Sequence, residues 1–271
     1  MHRVIKHRTG LAQLDLAELW EYRELLGYLA WRDVSIRYKQ TAVGALWAVI
    51  RPFLTMVVFT VLFGRLAKLP SEGVPYAVLT FVALLPWQFF STAFGEAANA
   101  VVGNGHMVTK IYFPRLVLPL GSIVVGIVDF LVSVVFLFVI MAGYRFAPSA
   151  RIVFAPLFFL LCVAFTLGLG LWMSALHVRY RDVRHLIPFL TQIGFYVSPV
   201  AYSSSLVPAK WRALYSLNPM AAVIDGFRWS ILGTQTLYIP GLIASIVVTI
   251  AVCAFGIVYF KQTERVFADL M

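Results

Sequence analysis

Six long apolar runs, separated by short segments that carry almost all of the charge, leave this chain few folds to choose from. They lie at about residues 44–62, 74–94, 118–144, 152–176, 186–202 and 239–260. The hydrocarbon core of a bilayer is about 30 Å thick and a helix rises about 1.5 Å per residue, so ~20 apolar residues cross it. Inside that core a single apolar segment satisfies its own backbone only as a helix. Composition agrees: 61% of residues are hydrophobic and 13% are charged, where soluble domains carry roughly 25% charged residues. The expected fold is an all-α integral membrane protein with six transmembrane helices.

The net charge of +10 would point to nucleic acid in a soluble protein. Here the Lys and Arg residues sort by side of the membrane instead. With the N-terminus cytoplasmic, the inner segments hold twice as many of them as the outer segments. That excess predicts both termini inside, N-in/C-in. The two triplets of spans show no self-similarity, which argues against an inverted-repeat secondary transporter.

Residues 1–14 are polar and basic and read as a mobile arm with no cleavable leader. Residues 15–38 read as an amphipathic helix on the membrane surface. Asp15 and Glu18 have the spacing of an N-cap and its capping-box partner. Leu19, Tyr22, Leu26 and Leu29 share one face, and Trp20 and Trp31 lie on a second, suited to headgroup depth. In the first span Arg51 precedes Pro52. A charge near mid-bilayer costs about 2.5–3.5 kcal/mol on insertion scales, so Arg51 should face a bundle interior, a water-filled path or the near interface. The loop at 95–117 holds a short helix at Glu96–Val102, ended by Gly103-Asn104-Gly105. Asp129 is the one charge in the third span, with no partner carboxylate or His at matched depth. Residues 203–238 contain two short helices, PAKWRALYSL and PMAAVIDGFRWSIL, broken at Asn218-Pro219. Asn suits an N-cap and Pro the first helical position. The pair reads as an outer re-entrant hairpin, or as one lying flat outside. Residues 261–271 form a cytoplasmic tail.

Catalysis requires converging acids, bases or nucleophiles, and none are visible; the chain is not expected to be an enzyme by itself. His106, His177 and His185 lack metal-ligand spacing, and Cys162 and Cys253 sit alone in apolar runs, so no metal is expected. There is no Walker A pattern, and the dipeptide Gly-Lys does not occur. Energy for active transport must therefore come from another subunit or a gradient. The inner segments around 95–115 and 177–185 offer a short helix and a basic, aromatic patch to a cytosolic partner. Most aromatic residues are packing or interface belt. A few, Trp87, Phe89, Phe195 and Tyr196, could line a path for sugars, whose C–H faces stack on rings.

Four ordered stretches carry a family resemblance: RDVSIRYKQTAVGALWAVIRP, KIYFPRLVLPL (Lys110–Leu120), RYRDVRHLIPFLTQIGFYVSPVAY (Arg179–Tyr202) and LNPMAAVIDGFRWSIL (Leu217–Leu232). The chain resembles type-2 ABC-transporter permeases of the polysaccharide-export branch, which serve O-antigen, capsule and teichoic acid export, over about residues 20–260. The resemblance implies a homodimer in the bacterial inner membrane with two separate ATPase subunits, which bind the ATP and Mg; this chain binds no cofactor. It implies a polysaccharide substrate on an undecaprenyl-diphosphate carrier. Residues 15–38 would be a gate helix, with Arg32, Arg37 and Lys39 near the diphosphate headgroup, a placement that charge and interfacial depth also favour. The loop around 96–106 would be the coupling helix. Glu96, Asn99, Val102, Asn104, His106, Arg179 and Arg181 would contact the ATPase, and the hairpin with Asn218 and Pro219 would cap the exit. At Arg51 the sequence departs from the family's usual uncharged residue, so the resemblance gives it no role. The alternative within transport is a type-2 permease for drugs or simple lipids. A gradient-driven transporter or a membrane glycosyltransferase would need a second buried acid or a sugar-donor site.

Overall fold

The computed structural model describes residues 16–39, 46–71, 73–233 and 236–267. The expected basic arm, the Asp15 cap, the first two residues of the first span and the end of the tail lie outside the described residues. All regular structure among the described residues is helical, and five helices are long and apolar enough to cross a membrane.

A short helix α1 (Leu16–Glu21) leads into α2 (Arg23–Lys39). Leu29 and Ala30 of α2 are buried, and Leu19, Tyr22, Leu25 and Leu26 pack on the same small core. Trp20 and Trp31 point outward, each about two-thirds exposed or more. The α2 helix runs alongside the bundle. It packs on α6 (Val117–Gly143), and its last turn meets α6 midway along, at Asp129.

Next comes α3 (Leu46–Phe59), continued by a wide helical turn over Thr60–Leu66. The hub of the bundle is α4 (Tyr76–Gly103), in which every residue from Ala77 to Trp87 is buried. It touches α3, α6, α7 (Ala155–Arg179), α8 (Val183–Val197) and α10 (Pro219–Ile231). The separate short helix expected at Glu96–Val102 is the last two turns of α4. Nothing between Phe94 and Gly103 breaks a helix, so the span runs on beyond its apolar part. A distinct short helix does follow, α5 (Gly105–Lys110).

The expected fifth span, 186–202, is shortened. α8 ends at Val197 because Pro199 holds Ser198 extended, at φ −90° and ψ 149°. Its 15 residues rise about 22 Å, short of a ~30 Å core.

The helices α7 and α4 run parallel. Cys162 lies by Pro86, Gly170 by Ala97 and His177 by Ala98. On another side α7 also runs parallel to α11 (Ile239–Thr263), at backbone contact: a Cβ on Gly256 would stand 2.0 Å from the Gly168 carbonyl oxygen, and Val178 and Phe260 share one core at the helix ends. Small residues permit such close helix pairs in membranes. One end of the bundle thus collects α1, α5, the end of α7 and the end of α11. There the Arg115 backbone N–H donates to Glu264 Oε1 at 2.8 Å, and Lys261 pairs with Glu264 at 2.9 Å.

The other end carries α9 (Ala209–Tyr215) and α10. Asn218 caps α10, its Oδ1 accepting from the Met220 N–H at 3.1 Å. The turn between the two helices sits within the bundle. Met220 lies against Cys162 of α7, and Ser245 of α11 donates to the Ser216 carbonyl at 2.8 Å. From there α10 runs back outward, where the Ile231 carbonyl accepts from the Ser149 N–H. Arg228, counted in the sequence as an outer-loop charge, is fully buried and donates to the carbonyls of Val200 and Tyr202 at 3.1 and 2.8 Å. It pins α10 to the irregular turn after α8.

Candidate functional site: a polar cleft beneath α2

A cleft of about 700 Å3 opens between α2, α3, α4 and α6. Its polarity comes from residues spaced along four helices. The last turns of α2 supply Arg37 and Tyr38, α3 supplies Arg51, α4 supplies Gln88 and Glu96, and α6 supplies Asp129. Arg37 is the centre: one guanidinium nitrogen bonds Glu96 and another bonds Asp129. The Tyr38 hydroxyl donates to the other Asp129 oxygen. Asp129 therefore does have a partner carboxylate at its depth, contrary to the sequence reading. Glu96 was placed in a loop there, and the unbroken course of α4 carries it into the bundle facing α6.

This network sets the local protonation. Burial by itself lowers the Arg37 pKa, but the charges of Glu96 and Asp129 outweigh it and the net shift is upward. Burial raises the Tyr38 hydroxyl, and its hydrogen bond to Asp129 and the charge of Asp129 raise it further. At neutral pH α2 is thus held to α4 and α6 by a fixed cation and a neutral phenol.

The sequence-derived residues separate accordingly. Of the headgroup set, Arg37 is matched by two carboxylates. Arg32 pairs with Asp33 at 2.8 Å and reaches the Asn104 amide oxygen at 3.4 Å, and Lys39 is exposed. Arg51, given no role by the sequence, lines the cleft with an exposed side chain. Of the proposed sugar path, Trp87 and Phe89 are 5% and 3% exposed. Trp87 packs on Phe90 and Phe195, and its indole fills the space that Gly194 leaves on α8. Phe89 packs edge-to-face against Phe130 and Phe159 while bordering the cleft. In this conformation neither ring has a free face for a sugar. Phe195 is half-buried, and Tyr196 is exposed.

Of the expected ATPase contacts, Glu96 faces the cleft rather than the bundle end. Asn99 is exposed and donates to the Gly95 carbonyl, and Asn104 donates to the Ala100 carbonyl. Val102, His106, Arg179 and Arg181 are exposed at the α5 end, with Arg179 over the Tyr180 ring. The structure thus gathers four of these seven on one end surface and turns Glu96 away.

The apolar helices, the polar cleft walled by four of them and the exposed cap at the α5 end define a multi-pass integral membrane subunit of a transporter. The chain belongs to the ABC-2 type transporter family, which matches residues 24–232. Members of that family are membrane subunits and not catalytic by themselves. The chain is 32% identical over 213 residues to the O-antigen export system permease protein RfbA of Myxococcus xanthus, covering 78% of this chain and 81% of that protein. It is 27% identical over 256 residues to the O-antigen export system permease protein RfbA of Klebsiella pneumoniae, with 92% and 95% covered. The inner membrane transport permease YadH of Escherichia coli K12 is 24% identical over 229 residues, with 80% and 87% covered.

Proposed function

We propose that this chain is the transmembrane permease of an ABC exporter that moves a polysaccharide, linked to undecaprenyl diphosphate, outward across the bacterial inner membrane. The observation that carries this reading is the similarity to O-antigen export permeases across almost the whole chain, including the segments that build the cleft and the hairpin. Two copies of the chain form the path, and two separate ATPase subunits bind ATP and Mg and drive it. The ATPases seat on the α5 end, where His106, Arg179 and Arg181 are exposed beside the short α5 helix. This shifts the coupling helix from the loop around 96–106 to its end and just beyond, at Gly105–Lys110. ATP-driven closure of those subunits is transmitted through α5 and α4 to α2, because Glu96 at the end of α4 holds Arg37.

In this reading both termini are cytoplasmic, which the basic excess supports. α8 with the turn that follows it makes the sixth crossing. The hairpin is re-entrant, a reading supported by its inner turn lying against Cys162 and Ser245. Arg51, Lys39 and Arg32 offer the diphosphate its charge near the cleft, and Arg37 holds α2 in place. The exposed ring of Tyr196 is left to meet sugar.

The test is deletion of the gene, with lipid-linked glycan assayed on each face of the inner membrane. Polymer accumulating on the cytoplasmic face, still on its diphosphate carrier, is expected. Normal surface glycan would refute the reading in favour of an exporter of drugs or simple lipids.

A further inference from the structure

At the hairpin end, remote from the cleft, α9, α10 and the start of α11 enclose a second cavity of about 390 Å3. That volume lies within the range of small-ligand sites, about 300–1,000 Å3. Its wall is unusual for a chain that is 61% hydrophobic. Three consecutive serines, Ser203–Ser205, line it together with Ser216, Ser245 and Thr236. Five of these six hydroxyls are hydrogen-bonded within the protein, Ser205 donating to Ser203 Oγ at 2.9 Å. Ser204 donates to Asp225 Oδ1 at 2.6 Å, Ser216 donates to the Arg212 carbonyl at 2.7 Å, and Ser245 donates to the Ser216 carbonyl at 2.8 Å. A hydroxyl that has spent its proton on the protein keeps lone pairs for a ligand's hydrogen-bond donors. The cavity has one guanidinium, Arg212, and one carboxylate, Asp225, so neither sign of charge is in excess. Tyr238 stands half-exposed at the wall, beside the partly buried Tyr215.

A ligand suited to this cavity is neutral, rich in hydroxyls, and has an apolar face for an aromatic ring. A phosphate would meet Asp225, and a cation would meet Arg212. We infer that the cavity binds a neutral sugar unit of the exported polymer on the hairpin side of the bundle. The inference rests on the export reading above and adds to it a second substrate-binding site, at the far end from the cleft. A glycan held there is kept from sliding back while the cleft resets.

The test uses the full transporter in nanodiscs and an oligosaccharide of one or two repeat units, released from the host's own surface polymer. Binding is read by saturation-transfer NMR and titration. Asp225→Asn keeps the size and the acceptor for Ser204, and Arg212→Gln changes an exposed side chain. Each is expected to weaken oligosaccharide binding about tenfold, while Lys68→Gln on another loop of the same end changes nothing. Unchanged affinity in both variants overturns the site, as does absence of oligosaccharide binding to the unaltered protein or competition by inorganic phosphate. The two readings fail separately. If gene deletion abolishes surface polymer but the variants bind and export normally, the cavity assignment falls and export stands. If deletion leaves surface polymer intact, the export reading falls and takes this inference with it.

Discussion

Replacing Arg37 with Gln tests whether the charge network is what fastens α2 to the bundle. The Arg37 side chain is 30% exposed, Asp129 18% and Glu96 36%. Exposed ion pairs are worth about 0–1 kcal/mol, whereas breaking a buried one costs about 3–5 kcal/mol because a lone charge stays behind. This half-buried cluster falls between, at about 2 kcal/mol. The loss should appear as easier local opening of α2, since such opening is governed by few contacts and partial burial. At 1.4 kcal/mol per factor of ten, amide hydrogen exchange over the second half of α2 should speed up about 30-fold. Exchange in α7 and α11 should not change. Charge logic supplies a further sign. In the Arg37→Gln variant Glu96 and Asp129 face each other without a cation. The triple variant Arg37→Gln, Glu96→Gln, Asp129→Asn has no such repulsion and should exchange more slowly than the single one. Exchange in the single variant equal to wild type, or a triple variant no slower than the single, would refute the latch.

Three further outcomes follow from the same geometry. Gly256→Ala places a Cβ where the Gly168 carbonyl oxygen already stands, and such overpacking costs about 1–3 kcal/mol; the melting temperature in detergent should fall, and an unchanged one would show that α7 and α11 adjust freely. His106→Glu combined with Thr109→Glu on α5 should abolish co-purification of the ATPase subunits while membrane insertion is kept; intact co-purification would remove α5 from the docking surface. The Tyr38 hydroxyl has a raised pKa in the folded protein, so its contribution to holding α2 is complete below the ordinary tyrosine value near 10 and is lost as pH rises above it. A spin label at the exposed Tyr28 position should report loosening of α2 only above that pH, and Tyr38→Phe should remove this dependence.

What the sequence by itself determined is the membrane, because ~20-residue apolar runs have one stable solution in a bilayer, the helix, whatever their neighbours are. The apolar runs at 118–144, 152–176 and 239–260 fall on α6, on α7 with the short turn before it, and on α11, since the length of an apolar run and its flanking breakers are local facts. Pro199 was also visible, although its consequence, the early end of α8, depends on what Ser198 must then do. The residue patterns at Asn218-Pro219 and on the Leu19–Leu29 face are local in the same way. Which polar groups meet was not legible. Arg37, Glu96 and Asp129 are far apart in the chain, and their meeting depends on α4 continuing past its apolar part and α2 rising along α6. Arg228 was counted as a loop charge because its compensation comes from two backbone carbonyls, which have no sequence signature. Trp87 carried a ring suited to sugar, yet a gap of one missing side chain at Gly194 drew it into the core. A periodic pattern tells a helix which face to bury. Only the packed bundle decides which buried or half-buried charge finds a partner, because that choice is made by the depth and rotation of helices that the chain separates widely.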